Sequence, residues 1–254
     1  MTGITTDGTY LYVADSGNST IRKIIISTGV VTTIAGSPGL SGSTDGTGSA
    51  ARFGGQRGGI STDGTNLYVA DWSNSTIRKI VISTGAVTTL AGSPGLIGST
   101  DDTGSAARFN LPEGITTDGI NLYVADSSNS TIRKIVISTG IVTTMAGSPG
   151  LTGSTDGSGL AARFIGPEQI TTDGTNLYVT DVSNNTIRKI VIATGVVSTL
   201  AGSPGVSGSN DGIGSTARFN GPFGITTDGT SLYVTDFCNS TIRRIRAQTL
   251  STIR

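Results

Sequence analysis

Glu113 and Glu168 stand at the same place in two consecutive copies of a repeated phrase, and two carboxylates so placed could share a proton or a metal ion. The rest of the side-chain inventory argues against that chemistry. The 254 residues include no His and a single Cys, Cys238, which removes imidazole acid/base catalysis, His or multi-Cys zinc sites and internal disulfides. Two Glu without His make a thin ligand set, so no catalytic residue, no metal ligand and no cofactor is expected. The Gly-rich stretches, of which "GSTDGTGSAARF" is typical, fare no better. A phosphate-cradling loop needs Gly-Lys-Ser/Thr opening a helix, and these stretches hold no Lys. A calcium loop needs several oxygen ligands at fixed spacing, whereas each stretch carries one Asp (Asp45, Asp156, Asp211) or two (Asp101, Asp102).

Charge excludes further classes. Seventeen basic and 17 acidic side chains leave no net field to attract nucleic acid or an anionic membrane, and the longest apolar runs, such as Ile24 to Ile26, are far too short to span a bilayer. Charged residues make up only 13% of the chain and Gly accounts for 38 residues, a mixture that suits strands joined by tight turns.

The elements that would position any site are set by the repeat. The phrase Leu-Tyr-Val-Ala/Thr-Asp places its Leu at 11, 67, 122, 177 and 232, a period of 55 with one step of 56. The long step has a local cause: "ARFGGQRGGI" is one residue longer than "ARFNLPEGI". Each copy holds four β-branched segments, in the third copy roughly 114–117, 121–126, 131–138 and 141–146, separated by "TDGT"-type and "STG" turns whose Gly supplies a positive φ. Consecutive hairpins make a four-stranded antiparallel meander. The segment "TIRKIVIS" carries Ile on both parities, so both faces must be covered by neighbouring sheets. The fold expected is all-β: a five-bladed β-propeller of four-stranded antiparallel blades, forming a single domain over 1–254 with blades near 1–36, 58–92, 113–147, 168–202 and 223–254. The alternative is part of a six-bladed or longer array. Four linkers, near 37–57, 93–112, 148–167 and 203–222, join five blades. In copy five "RAQTLSTIR" loses the turn Gly and the apolar outer strand, which makes that edge the weakest.

At these residues the sequence resembles a known family. The unit "GITTDGTNLYVADWSNSTIRKI", with the linker ending "ARFNLPEGI", resembles the NHL repeat through essentially the whole chain. The name-giving Asn-His-Leu is here Asn-Ser-Thr-Ile, or Asn-Asn-Thr-Ile from Asn184, so the usual His is missing. The resemblance implies a propeller, usually of six blades. It also implies an enzymatic alternative, since some related six-bladed propellers are lactonases or lyases acting around a metal in the channel.

Positions common to every copy describe what a blade needs. Asp15, Asp71, Asp126, Asp181 and Asp236 with Asn18, Asn74, Asn129, Asn184 and Asn239 are expected to bond the turn after the second strand, aided by Arg22, Arg78, Arg133 and Arg188. Arg52, Arg108, Arg163 and Arg218 are expected to pair with the linker Asp residues, with Phe53, Phe109, Phe164 and Phe219 plugged between blades. Function belongs to positions where the copies diverge. One set follows the second-strand Asp: Ser16, Trp72, Ser127, Val182 and Phe237. The other precedes the first strand: Arg57, Glu113, Glu168 and Phe223. Antiparallel topology puts both sets on the face where the linkers arrive, near the channel mouth. The expected ligand site is therefore Trp72, Phe237 and Phe223 as apolar anchors with Arg57, Glu113 and Glu168 as polar selectors. The function expected is a non-catalytic, monomeric scaffold that binds a protein, peptide or glycan and neither nucleic acid nor membrane. The alternatives are the metal-assisted lactonase or lyase and a bare amplified scaffold without a ligand.

Overall fold

A computed structural model describes residues 3–55 and 58–246. Blade 1 comprises Gly3–Thr6, Tyr10–Asp15, Thr20–Ile25 and Val31–Gly36, hydrogen-bonded in that order. The same antiparallel order recurs in blade 2 (Ile60–Thr62, Asn66–Asp71, Thr76–Val81, Ala86–Ala91), blade 3 (Pro112–Thr117, Asn121–Asp126, Thr131–Val136, Ile141–Ala146) and blade 4 (Pro167–Thr172, Asn176–Asp181, Thr186–Val191, Val196–Gly202). Blade 5 contributes Pro222–Thr227, Ser231–Asp236 and Thr241–Arg246; the rest of the deviant last segment lies outside the described residues.

The hairpin turns work as their sequences require. In "TDGT" the Asp63 carboxylate accepts the N–H groups of Thr65 at 2.8 Å and Asn66 at 2.7 Å, and the Tyr68 hydroxyl donates to its other oxygen at 2.7 Å. Gly64 takes φ +86°, a conformation that a side chain resists.

Burial follows the period-2 geometry of a strand. Leu67 and Val69 pack toward blade 1, while Tyr68 and Ala70 pack toward blade 3. Ile77 and Ile80 divide in the same way, which is why "TIRKIV" is apolar on both parities. Each blade-to-blade core joins one face of a blade, a linker and the opposing face of the next. Between blades 2 and 3, Tyr68, Ala70, Ile77 and Ala91 meet Ile115, Leu122, Val124, Ile135 and Val142, with Ala107 and Phe109 of the linker enclosed between them. The Phe plugs stand where the sequence puts them.

Two features differ from the sequence reading. First, the linkers supply a strand. Gly46–Thr47 pairs antiparallel with the outer strand of blade 2 (Gly46 opposite Val87, Thr47 opposite Ala86), and Asp102–Thr103 and Gly157–Ser158 do the same for blades 3 and 4. Those blades are five-stranded, and the added strand covers an otherwise open sheet edge. Second, the linker Arg does not take the linker Asp. Arg52 donates to the carbonyls of Ser49 (2.6 Å) and Ala51 (2.7 Å), whereas Asp45 pairs with Arg78 of the following blade at 2.7 Å. Crossing to the outer edge of blade 2 carries Asp45 beside Thr89 and Arg78 and away from Arg52.

Candidate binding face

The turn after each second strand is a short 3-10 segment: Trp72–Asn74 in blade 2 and Phe237–Asn239 in blade 5. Its geometry rests on a buried ion cluster. In blade 2 the Asp71 carboxylate accepts from Arg78 at 2.9 Å, from Asn74 at 2.8 Å and from the Gly54 N–H at 3.0 Å. Arg78 also donates to the carbonyls of Arg52 and Thr44 and bridges to Asp45, with its guanidinium over the Phe53 ring at 5.2 Å. The pattern recurs at Arg133, Arg188 and Arg243. A buried charge is tolerable only when so fully paired. Burial pushes the Asp126 carboxyl up to about 6 against the pull of Arg133, the Asn110 N–H and Asn129, and it raises Asp71 and Asp181 in the same direction. These acids hold the turn together; they do not face a ligand.

Above this base the two variable sets meet. The first strand begins opposite the end of the second, with Pro112 paired to Asp126, Pro167 to Asp181 and Pro222 to Asp236. The residue after each Pro therefore lies beside the turn of its own blade. In blade 5 this brings the Phe223 and Phe237 rings to 6.4 Å with a 47° tilt. Phe237 is 72% exposed, a large apolar group shown to solvent, and Phe223 and Trp72 are half-buried. Glu168 is half-buried as well, whereas Glu113 is only 9% exposed and its carbonyl accepts the Gly59 N–H. Arg57 lies outside the described residues.

Sequence reasoning missed Thr180 and Thr235, which replace the Ala of other second strands. The Thr180 hydroxyl accepts the Gln169 N–H at 2.9 Å and donates to the Phe223 carbonyl at 2.8 Å, tying blade 4 to blade 5 at the aromatic pair. Thr235 accepts the Gly224 N–H at 2.7 Å. The Ala-to-Thr exchange within an otherwise constant phrase was the available signal.

Behind this face the channel holds a cavity of about 450 Å³, lined by Ile4, Ile60, Ile115, Ile170 and Ile225 from the five first strands, with Thr and Ser beside them. No carboxylate lines it. Among the described residues, no group of three or more His, Cys, Asp or Glu is placed to hold a metal.

No protein-family model matches the chain. It is 34% identical over 144 residues to NHL repeat-containing protein 2 from Homo sapiens, a match covering 53% of this chain and 20% of the relative. It is 31% identical over 261 residues to the chloroplastic protein SUPPRESSOR OF QUENCHING 1 from Arabidopsis thaliana, covering 92% and 24%. The chain thus spans about a fifth to a quarter of these relatives. Among solved structures, a nidogen/laminin complex matches at TM-score 0.67 and 18% identity, over 96% of this chain and 75% of that one. An auxiliary nutrient binding protein from Bacteroides ovatus matches at 0.63 and 18%, over 96% and 68%, and virginiamycin B lyase from Staphylococcus aureus at 0.61 and 18%, over 97% and 66%. At such identities the structures speak for the fold alone. Repeat sequence and blade architecture agree: the chain is a five-bladed β-propeller whose repeats are similar to those of NHL repeat-containing proteins.

Proposed function

We propose that the protein is a non-catalytic binding scaffold that presents its linker face to a protein, peptide or glycan. The observation that carries this reading is the Phe223–Phe237 pair, with Phe237 exposed and Phe223 half-buried, on the face where otherwise constant blades diverge. Exposed aromatics rimmed by polar residues suit recognition, and a patch confined to a few blades can read a ligand that has no symmetry of its own. Phe237 and Phe223 anchor the ligand, Trp72 flanks the mouth from blade 2, and Glu168 with Glu113 and Arg57 sets polarity. Fold neighbours whose names are those of a nutrient binding protein and a nidogen/laminin complex support such a role.

The lyase neighbours raise the enzymatic alternative. The solved lyase is described as catalytically inactive once a His is replaced by Ala, and this chain contains no His. The channel lining, Ile side chains with Thr, Ser and Gln169 and no carboxylate, also supports binding over chemistry.

The test is a panel of peptides and glycans screened against the chain and its Phe237→Ser variant. Because Phe237 is exposed, its replacement should leave Tm within a degree or two while weakening any captured ligand by about 30-fold, which corresponds to roughly 2 kcal/mol. Equal binding by both proteins would refute the assignment of this face.

A further inference from the structure

Asn is followed by Gly once in the 254 residues, at Asn220–Gly221 in the last linker. The backbone nitrogen after an Asn can attack that Asn's own side-chain carbonyl, and a Gly leaves the approach unshielded. At the same place the other linkers carry Gly54–Gly55, Asn110–Leu111 and Ile165–Gly166. The second position calls for left-handed backbone, with φ +64° at Gly221, +63° at Gly166 and 53° at Leu111, so Gly221 serves the turn. The Asn before it is not needed for that, since Ile165 fills the same place.

Asn110 and Asn220 sit in matching surroundings. Both are half-buried, and each gives its N–H at 2.7 Å to the second-strand Asp of its blade, Asn110 to Asp126 and Asn220 to Asp236. Their carbonyls accept from the 3-10 turn, from the Ser128 N–H at 3.2 Å and from the Cys238 N–H at 3.0 Å. They differ at the attacking nitrogen. The Leu111 N–H meets the Ser75 hydroxyl at 3.3 Å, whereas the Gly221 N–H meets the side-chain oxygen of Asn185, from the turn of the preceding blade, at 2.9 Å. Asn185 stands where the other four turns have Ser19, Ser75, Ser130 and Ser240.

We propose that Asn220 is a deamidation site whose rate is set by Asn185. In the first step the Gly221 nitrogen loses its proton and bonds to Asn220 Cγ, while the Cγ–Nδ2 bond breaks and ammonia leaves with that proton. Water then opens the cyclic imide, at Cγ to give Asp or at the backbone carbonyl to give isoaspartate. Ring closure requires the peptide plane between residues 220 and 221 to turn until its nitrogen faces Cγ. That plane is pinned at both ends, its carbonyl by Cys238 and its N–H by Asn185, and Asn185 holds the end that has to react. The partial exposure of Asn220 admits the water. Either product sets a new carboxylate beside Asp236, and isoaspartate also takes the carbonyl that receives the Cys238 N–H out of the main chain. The Phe237 N–H bonds to the Gly221 carbonyl at 3.1 Å, so the change loosens the base on which Phe237 stands.

The test incubates the folded chain in mildly alkaline buffer beside the peptide "TARFNGPFGIT", residues 216–226, and follows Asn220 and Asn110 by mass spectrometry of proteolytic fragments. The peptide should react fastest, Asn220 of the chain more slowly, and Asn110 not measurably over the same period. Asn185→Ser installs the residue of the other four turns, and it should speed the loss at Asn220 about five-fold or more, the factor carried by one lost hydrogen bond, while leaving Asn110 unchanged. Exchange of the Phe237 and Cys238 amides should quicken in step with the modified fraction. Equal loss at Asn110 and Asn220, no loss at Asn220 in either protein while the peptide reacts, or equal rates in the Asn185→Ser and unsubstituted chains would each overturn the proposal. The comparison of Asn220 with Asn110 needs no substitution and stands even where the variant fails to fold.

Discussion

Five residues that end the 3-10 turns adopt left-handed backbone: Ser19, Ser75, Ser130, Asn185 and Ser240, with φ between 53° and 57°. Asn tolerates that region better than Ser, because its short amide can bond locally. Asn185 does more, since its side-chain oxygen accepts the Gly221 N–H of the next linker at 2.9 Å. Ser130→Asn should therefore ease the strain and reach the equivalent Gly166, raising stability by about 1 kcal/mol in a denaturant melt; an unchanged or lower midpoint would show that Asn185 owes its bond to its own surroundings. The carboxylates make a second residue-scale prediction. Asp126, Asp71 and Asp181 are raised by burial in the folded state, so the stability they contribute is fully present below their unfolded value of about 3.8 and is lost as pH rises through the folded value, about 6 for Asp126. The turn acids behave in the opposite way. Burial pushes Asp63, Asp118 and Asp173 up, but their N–H and Tyr hydroxyl donors outweigh it and hold them low, so their contribution exists above about 3.8 and disappears as pH falls below it. Tm should accordingly peak near about pH 4, falling at lower pH and declining as pH rises toward about 6, and Asp126→Asn should flatten the alkaline limb. A Tm that climbed steadily to pH 8 would contradict the assignment.

Each linker acts as an element in its own right, and this was the part of the fold least legible in the sequence. The second strands announce themselves by period and by β-branched composition, and the blade count follows from the spacing of their Leu residues. Gly46–Thr47, a two-residue strand, carries no periodicity to read, and its pairing with Val87 and Ala86 depends on where the linker crosses. The partner of Asp45 was misread for the same reason: sequence proximity favoured Arg52, whereas the crossing delivers Asp45 to Arg78. The Phe plugs were legible because an aromatic locked to one position of every linker has few other uses. Phe109 is fully buried between blades 2 and 3, with the Arg133 guanidinium 5.1 Å above its ring. Phe109→Ala would leave a cavity and uncover one side of a buried ion cluster, at a cost of about 3 to 5 kcal/mol. Calorimetry is the measure, and a loss under 1 kcal/mol would mean that the linker closes over the gap.

At the scale of the whole molecule, the blades form a one-dimensional series in which stability comes chiefly from contacts between neighbours. Blades 2, 3 and 4 each share two cores, while blades 1 and 5 share one apiece among the described residues. The sequence marks blade 5, where "RAQTLSTIR" loses the turn Gly and the apolar outer strand, but not blade 1, because "TIRKII" in copy one differs little from the internal copies in the residues that face a neighbour. The consequence is a gradient of local stability. Amides of Asn121–Asp126 and Thr131–Val136, at the centre of the series, should exchange only through complete unfolding, whereas those of Thr241–Arg246, a strand whose side chains are exposed or half-buried, should exchange through fraying that leaves the centre intact. Blade 1 should lie between, since Tyr12, Ala14 and Ile21 remain packed against blade 2. Native-state hydrogen exchange in low denaturant resolves the order, and the prediction is specific: blade 5 first, blade 1 next, blades 2 to 4 last and together. Uniform protection across all five blades would require that the outer faces of blades 1 and 5 cover one another in solution. In that case the apolar exposure of Ile242 and Ile4, from which the order is drawn, would be lost.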